Sequence, residues 1–156
     1  MCVTQLWGEE AMRRFARSAA LSAALSVVML VGWVVPAYAG TATSNYSYFT
    51  CGSYPYRNQA WIETNASGAR AGTYLTSAPT VHPAGWFGVS ERLYNDSGSL
   101  MRSRDYVYTS SSSAGILMYT GYTTIHDSYY SYGISKSWTG TEYHGHATWT
   151  SPMQTY

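Results

Sequence analysis

Large and small side chains alternate along much of the chain after residue 40. Between Tyr129 and Trp138, large residues occupy one set of alternate positions, and serine or glycine occupies most of the other set. Successive side chains of a β strand point to opposite sides, so this pattern predicts a half-buried strand. Beyond residue 40, no stretch carries apolar residues at the i, i+3, i+4, i+7 spacing of an amphipathic helix. The pattern therefore favours strands throughout this part of the chain.

Two β-hairpins are predicted. The first joins Trp86–Tyr94 to Leu100–Tyr108 through a turn rich in Asn, Asp and Gly. The second joins Tyr129–Trp138 to Thr141–Thr150 through a Thr-Gly turn. Short turns of this composition between extended runs are typical of hairpins.

Further strands complete an all-β prediction. The segment Ser77–Gly85 contains two prolines and is expected to pass from one sheet to another. Frequent Gly, Asn, Asp and Ser between short strands is typical of a sandwich or barrel. We predict that residues 40–156 form one small antiparallel β-sandwich or barrel of about six to eight short strands. The additional strands are Asn45–Thr50, Gln59–Thr64, Ala69–Thr76 and Ile116–Ile125.

Residues 1–39 have the pattern of a secretory signal peptide. Three arginines precede the apolar stretch Ala19–Val35, which is followed by Ala37-Tyr38-Ala39, a small-residue cleavage site. Met12 directly precedes this basic end, and we interpret it as the natural start. A membrane anchor is the alternative, but it needs about 20 apolar residues, more than this stretch has. We expect cleavage after Ala39, secretion, and no stable membrane insertion afterwards.

Composition changes the expected core. Residues 40–156 contain 15 Tyr and 4 Trp but only 13 Leu, Ile, Val and Phe together, so aromatic side chains must replace aliphatic ones. We therefore expect Trp61, Trp86, Trp138 and Trp149 to lie in the core. The same segment carries six Lys or Arg and six Asp or Glu, a balance that excludes the basic surface of a nucleic-acid-binding protein.

The density of tyrosine predicts a binding surface. Six tyrosines between positions 119 and 143 are too many for one small core, so some should be exposed. Tyrosine combines a large rigid ring with a polar tip, which suits protein interfaces and stacking on sugar rings. We predict that the ligand, an extracellular protein or a cell-wall polysaccharide, contacts members of this set: Tyr119, Tyr122, Tyr129, Tyr130, Tyr132 and Tyr143.

Metal binding and catalysis have weaker signals. Glu142, His144 and His146 occupy alternate positions of a predicted strand and therefore share one face, where they are candidate metal ligands. The favoured alternative is that they form the strand's polar face, so no metal or other cofactor is expected. Ser90 lies in Gly-Val-Ser-Glu rather than a G-x-S-x-G elbow, and we assign no catalytic residue.

Cys51 is the one cysteine outside the predicted leader. It has no intramolecular partner after cleavage, which leaves three interpretations: a small buried hydrophobe, a reactive thiol, or an intermolecular disulfide. The turn that follows Cys51 places it near the end of a strand, where a second chain could reach it. We therefore retain an intermolecular disulfide among the three interpretations.

Several motifs resemble those of short, secreted, Tyr/Ser/Gly-rich β proteins of Gram-positive bacteria. They are Gly85–Val89 followed by Arg92–Tyr94, and Tyr129–Gly133 followed by Trp149–Pro152, so the resemblance covers roughly residues 84–152. It implies secretion and an interaction role, and it supplies no catalytic residues.

Together these observations predict a secreted, non-enzymatic binding module that uses an exposed aromatic surface. The first alternative is a small secreted bacteriocin-like toxin or a subunit of a toxin complex. The second is a secreted hydrolase.

Overall fold

The computed structural model describes residues 39–156, which form ten β strands and no helix. Among these residues, no helix is long and apolar enough to cross a membrane. The predicted leader, apart from Ala39, lies outside the described residues. The strands are β1 (Gly40–Thr43), β2 (Ser47–Cys51), β3 (Tyr54–Asn65), β4 (Gly68–Thr76), β5 (Phe87–Asn95), β6 (Leu100–Tyr108), β7 (Gly115–Tyr119), β8 (Ser128–Trp138), β9 (Tyr143–Ala147) and β10 (Gln154–Thr155).

The strands build two antiparallel five-stranded sheets. The first sheet has the order β1-β3-β4-β7, and β2 also pairs with β3. The second has the order β10-β8-β5-β6, and β9 also pairs with β8. Strands β3 and β4 of the first sheet lie against β8 and β5 of the second. The predicted all-β sandwich is confirmed.

Both predicted hairpins are present, as β5–β6 and β8–β9, although β9 is shorter than predicted. The segment Ser77–Gly85 does leave the first sheet after β4 and enter the second at β5. Two short strands, β1 and β10, were not predicted. They pair with the long strands β3 and β8, so their extended form depends on a neighbouring edge rather than on a local pattern.

The small face of β8 is the buried one. Tyr129, Ser131, Gly133, Ser135 and Ser137 point into the sandwich, whereas the large residues between them are half-buried on the outside. A β carbon added to Gly133 would overlap the side chain of Thr73 in the first sheet. The two sheets therefore approach too closely at this point for a large side chain.

The interior contains two apolar clusters. The first includes Cys51, Tyr56 and Phe87. The second includes Leu93 and Tyr129. The complete first cluster is Cys51, Tyr56, Leu75, Phe87 and Val89. The complete second cluster is Ile62, Ala69, Ala71, Leu93 and Tyr129.

Buried polar groups lie between these clusters and connect the sheets. The Asn58 side-chain amide donates to Ser135 Oγ at 2.8 Å. The Ser131 hydroxyl donates to Gly72 O at 3.2 Å, and the Thr73 hydroxyl donates to Ser90 O at 3.2 Å. Each bond joins one sheet to the other. Hydroxyl and amide groups therefore supply part of the stabilisation between the sheets, because this chain has few aliphatic side chains to supply it.

Glu91 is buried in the same region without a partner. Its side chain points inward from β5 between Val89 and Leu93, and neither carboxyl oxygen has a hydrogen bond among the described residues. Burial raises the pKa of the Glu91 carboxyl to about 7, against a smaller opposing effect of Arg104. The carboxyl is therefore largely protonated in mildly acidic solution.

The prediction that the four tryptophans form the core is wrong. None of them is fully buried, and Trp149 is 63% exposed. Trp61 and Trp138 lie on strands whose inner positions are taken by neighbours such as Ile62 and Ser137. Alternation along the strands therefore places the Trp61 and Trp138 side chains on the outer faces of the two sheets.

Candidate aromatic binding surface

The outer face of the second sheet is rich in aromatic side chains. On β8, alternation directs Tyr130, Tyr132 and Trp138 outward. Tyr94 joins them from β5, since it pairs with Tyr130. Strands β6 and β9 extend the same face on either side of this centre.

Four side chains at one end of this face form what we call the aromatic patch: Tyr106, Tyr108, Trp138 and Tyr143. The ring centres of Trp138 and Tyr143 are 4.8 Å apart, and those of Tyr143 and Tyr108 are 5.1 Å apart. Tyr106 follows at 6.2 Å from Tyr108. Tyr108 and Tyr143 are 37% and 40% exposed, so the patch is accessible to a ligand.

The patch is held in place by its surroundings. The Tyr143 hydroxyl donates a hydrogen bond to Gly85 O at 2.6 Å. The Lys136 ammonium lies 3.9 Å from the centre of the Tyr106 ring, in cation–π geometry. Rings fixed in this way lose little conformational entropy when a ligand binds.

A second aromatic group occupies the other end of the face. Tyr94 and Tyr130 stack at 5.4 Å with an interplanar angle of 15°. Tyr132 is half-buried nearby on β8, opposite Arg92. The predicted ligand-contacting residues Tyr130, Tyr132 and Tyr143 therefore share one sheet face.

Tyr129 does not belong to this surface, although it was predicted to contact the ligand. It is adjacent to Tyr130 on β8 and points to the opposite side, where it is fully buried in the core. Its hydroxyl donates to Ile125 O at 2.6 Å. The side chain is thus committed to packing.

Tyr119 ends β7 of the first sheet and Tyr122 follows it in the chain, away from the other predicted tyrosines. Their rings flank Arg70, whose guanidinium carbon is 4.1 Å from the centre of Tyr119 and 4.7 Å from that of Tyr122. Arg70 pairs with Glu63 at 2.8 Å, and the Tyr122 hydroxyl donates to the same carboxylate at 2.7 Å. Burial opposes ionisation of Glu63, but the hydrogen bonds from Arg70 and Tyr122 outweigh it and lower its pKa. These two tyrosines therefore pack and hydrogen-bond within the Arg70–Glu63 ion-pair network.

The three candidate metal-ligating residues are divided between two sets of contacts. His144 and Glu142 are both exposed, with 3.3 Å between Nε2 and Oε1. His146 instead stacks on Phe49, with ring centres 3.7 Å apart. Burial, with a smaller effect of His144, lowers the pKa of His146. Between residues 39 and 156, no group of three His, Cys, Asp or Glu residues could hold a metal ion.

Cys51 lies in the first apolar cluster with 5% of its surface exposed. Its thiol is free and donates a weak hydrogen bond to Ser137 O at 3.8 Å. This position favours the interpretation of Cys51 as a small buried hydrophobe. An intermolecular disulfide would require the end of β2 to open first.

Three members of the aromatic patch were not predicted as ligand contacts. Trp138 was assigned to the core, although it shares its face of β8 with Tyr130 and Tyr132. Tyr106 and Tyr108 lie outside the tyrosine-dense region of the sequence. They reach the patch because β5, the hairpin partner of β6, pairs with β8, a long-range relationship that local composition does not reveal.

Comparison of the chain with protein-family models, curated proteins and solved structures finds no match.

Proposed function

We propose that this protein is a secreted, non-enzymatic module that binds a neutral cell-wall polysaccharide through the aromatic patch. The observation that carries the proposal is the unbroken row of rings Tyr106, Tyr108, Tyr143 and Trp138 on one sheet face, with neighbouring centres 4.8 to 6.2 Å apart.

The chemistry of the patch suits a sugar chain. Aromatic faces pack against the apolar C–H faces of sugar rings, while phenol and indole groups offer hydrogen bonds to hydroxyls at the ring edges. A row of several rings can contact successive sugar units. Tyr143 is already fixed by its bond to Gly85, which reduces the entropic cost of binding.

Charge favours a neutral ligand. Lys136 places one positive charge beside the patch, and its ammonium is engaged by the Tyr106 ring. The segment 40–156 as a whole has equal numbers of basic and acidic residues. A partner protein is the alternative ligand, and it would use the same rings as hot spots.

The test is depletion of the purified protein from solution by insoluble chitin and by insoluble cellulose, two neutral polysaccharides. We expect binding to at least one of these, and at least tenfold weaker binding for Trp138→Ala and Tyr108→Ala. Trp149→Ala is the matched control, because Trp149 is 63% exposed and belongs neither to the patch nor to a strand.

Equal binding by wild type, Trp138→Ala and Tyr108→Ala would overturn the assignment of the patch. A protein partner would replace the polysaccharide if two results were found together. The wild type would bind no polysaccharide, and it would retain a protein from the culture medium that Trp138→Ala does not retain.

A further inference from the structure

A groove of about 220 Å³ opens on the first sheet, away from the aromatic patch. Tyr48 of β2, Arg57 of β3 and Thr76 of β4 form its centre, since Arg57 pairs with Tyr48 on one side and Thr76 on the other. The complete lining is Tyr48, Pro55, Tyr56, Arg57, Thr76, Ser77 and Ala78.

Arg57 is the one charged residue of the lining. Its guanidinium carbon lies 4.5 Å from the centre of the Tyr46 ring, and it has no hydrogen bond or ion pair within residues 39–156. Arg70, Arg102 and Arg104 differ, because each donates to a carboxylate or a carbonyl. The donors of Arg57 are thus available to a ligand.

The groove also offers an aromatic platform. Tyr48 is 71% exposed beside Arg57. Burial, reinforced by Cys51 and Tyr54, raises the pKa of Tyr56 to about 12, so this part of the wall stays neutral. No anionic side chain of the lining competes for Arg57.

The opposite wall is fixed by its own hydrogen bonds. The Thr76 hydroxyl donates to Ala114 O at 2.8 Å and accepts from the Ala78 amide at 3.0 Å. The Ser77 hydroxyl donates to Thr80 O at 3.1 Å. A groove held in this way has its shape before a ligand arrives.

We propose that this groove binds a single carboxylate-bearing sugar, with Arg57 pairing with the carboxylate and Tyr48 stacking on the ring. The volume is below the range of about 300–1,000 Å³ typical of larger ligand sites, which limits the occupant to about one ring. A planar guanidinium with free donors matches a carboxylate in two-point geometry. This site is independent of the aromatic patch and does not rest on the function proposed for it.

The experiment is an NMR titration of the isotopically labelled protein with glucuronate and, separately, glucose. We expect glucuronate to shift the signals of Arg57 and Tyr48 and to bind at least tenfold more tightly than glucose. Arg57→Gln should lose at least tenfold in glucuronate affinity, and Tyr48→Ala severalfold. Arg92→Gln is the control, since Arg92 is exposed on the second sheet, and Trp138→Ala should also bind glucuronate normally.

Three results would overturn the proposal. Equal binding of glucose and glucuronate would show that Arg57 does not pair with the sugar carboxylate. Equal binding of inorganic phosphate and glucuronate would reduce the groove to a site for anions in general. Tighter binding of a short glutamate peptide would assign it to an acidic protein segment. Because Trp138→Ala leaves this groove intact, failure here leaves the polysaccharide test of the patch unaffected.

Discussion

Tyr108, the last residue of β6, lies with its ring over Gly88 of β5, where an added β carbon would come within 2.6 Å of the ring. The first sheet repeats this relationship, because Tyr119 ends β7 and its ring lies over Gly72 of β4. A glycine within a strand removes a side chain from the sheet surface, and here an aromatic ring from the neighbouring strand covers the gap.

Gly88→Ala should therefore disturb the aromatic patch. The new methyl group must displace the Tyr108 ring, so we expect the free energy of unfolding to fall by about 1–3 kcal/mol and polysaccharide binding to weaken. Chemical denaturation and the depletion assay measure the two effects. Gly145→Ala is the control, since its added carbon would meet Ile134 at an ordinary 3.9 Å. Wild-type binding by Gly88→Ala would show that the position of Tyr108 does not matter.

Much of the fold could be predicted from the sequence, because alternation and turn composition are local signals. Tyr129–Trp138 is an example, since its period of two correctly predicted a strand. The same period does not say which side is buried, and the large side is usually the inner one. Here contact of Gly133 with Thr73 of the opposite sheet decides the matter, and that contact has no local signal.

The candidate site was less predictable for the same reason. Tyr130, Tyr132 and Tyr143 were expected on a surface, and strand pairing places them on one sheet face, where Tyr130 and Tyr132 are half-buried. Tyr119 and Tyr122 were grouped with them by proximity in sequence, although β7 belongs to the other sheet. Only the pairing of strands determines which aromatic residues meet.

Glu91 should make the fold less stable as pH rises. The folded protein keeps the Glu91 proton up to about pH 7, whereas the unfolded chain releases it near the ordinary pKa of 4.5. Between these values the folded state binds more protons, so the free energy of unfolding falls with increasing pH. At about 1.4 kcal/mol per pH unit, the total loss of unfolding free energy accumulated between pH 4.5 and pH 7 is about 3 kcal/mol.

The measurement is urea unfolding of wild type and Glu91→Gln between pH 4 and pH 8. The difference between the two proteins isolates Glu91, because burial lowers the pKa values of His82 and His146 and their effect on stability has the opposite sign. We expect wild type to lose stability relative to Glu91→Gln as pH rises. A difference that is constant with pH would contradict the raised pKa.

Tyr122→Phe should weaken the fold and leave ligand binding unchanged. The substitution removes the hydroxyl that donates to Glu63 and accepts from Asn65, each at 2.7 to 2.8 Å. We expect the free energy of unfolding to fall by about 1–2 kcal/mol. Thermal or urea unfolding measures this loss. If Tyr122→Phe lost polysaccharide binding without losing stability, Tyr122 would be a ligand-contacting residue, as predicted from the sequence.

Cys51 should be protected in the native protein. Its thiol is buried, so iodoacetamide should modify it only after denaturation, and the protein should migrate as a monomer on a non-reducing gel. Mass spectrometry quantifies the modification, and Cys51→Ser is the control for reagent specificity. Rapid modification under native conditions, or a dimer that Cys51→Ser abolishes, would support an intermolecular disulfide.

The most direct test of the central claim is an NMR titration of the protein with the soluble oligosaccharide of whichever neutral polysaccharide binds it. The account predicts that the largest changes occur at the rings of Tyr106, Tyr108, Trp138 and Tyr143 and saturate together with a single dissociation constant. Unchanged patch signals during saturable binding, or changes confined to the first sheet around Tyr48, would contradict it.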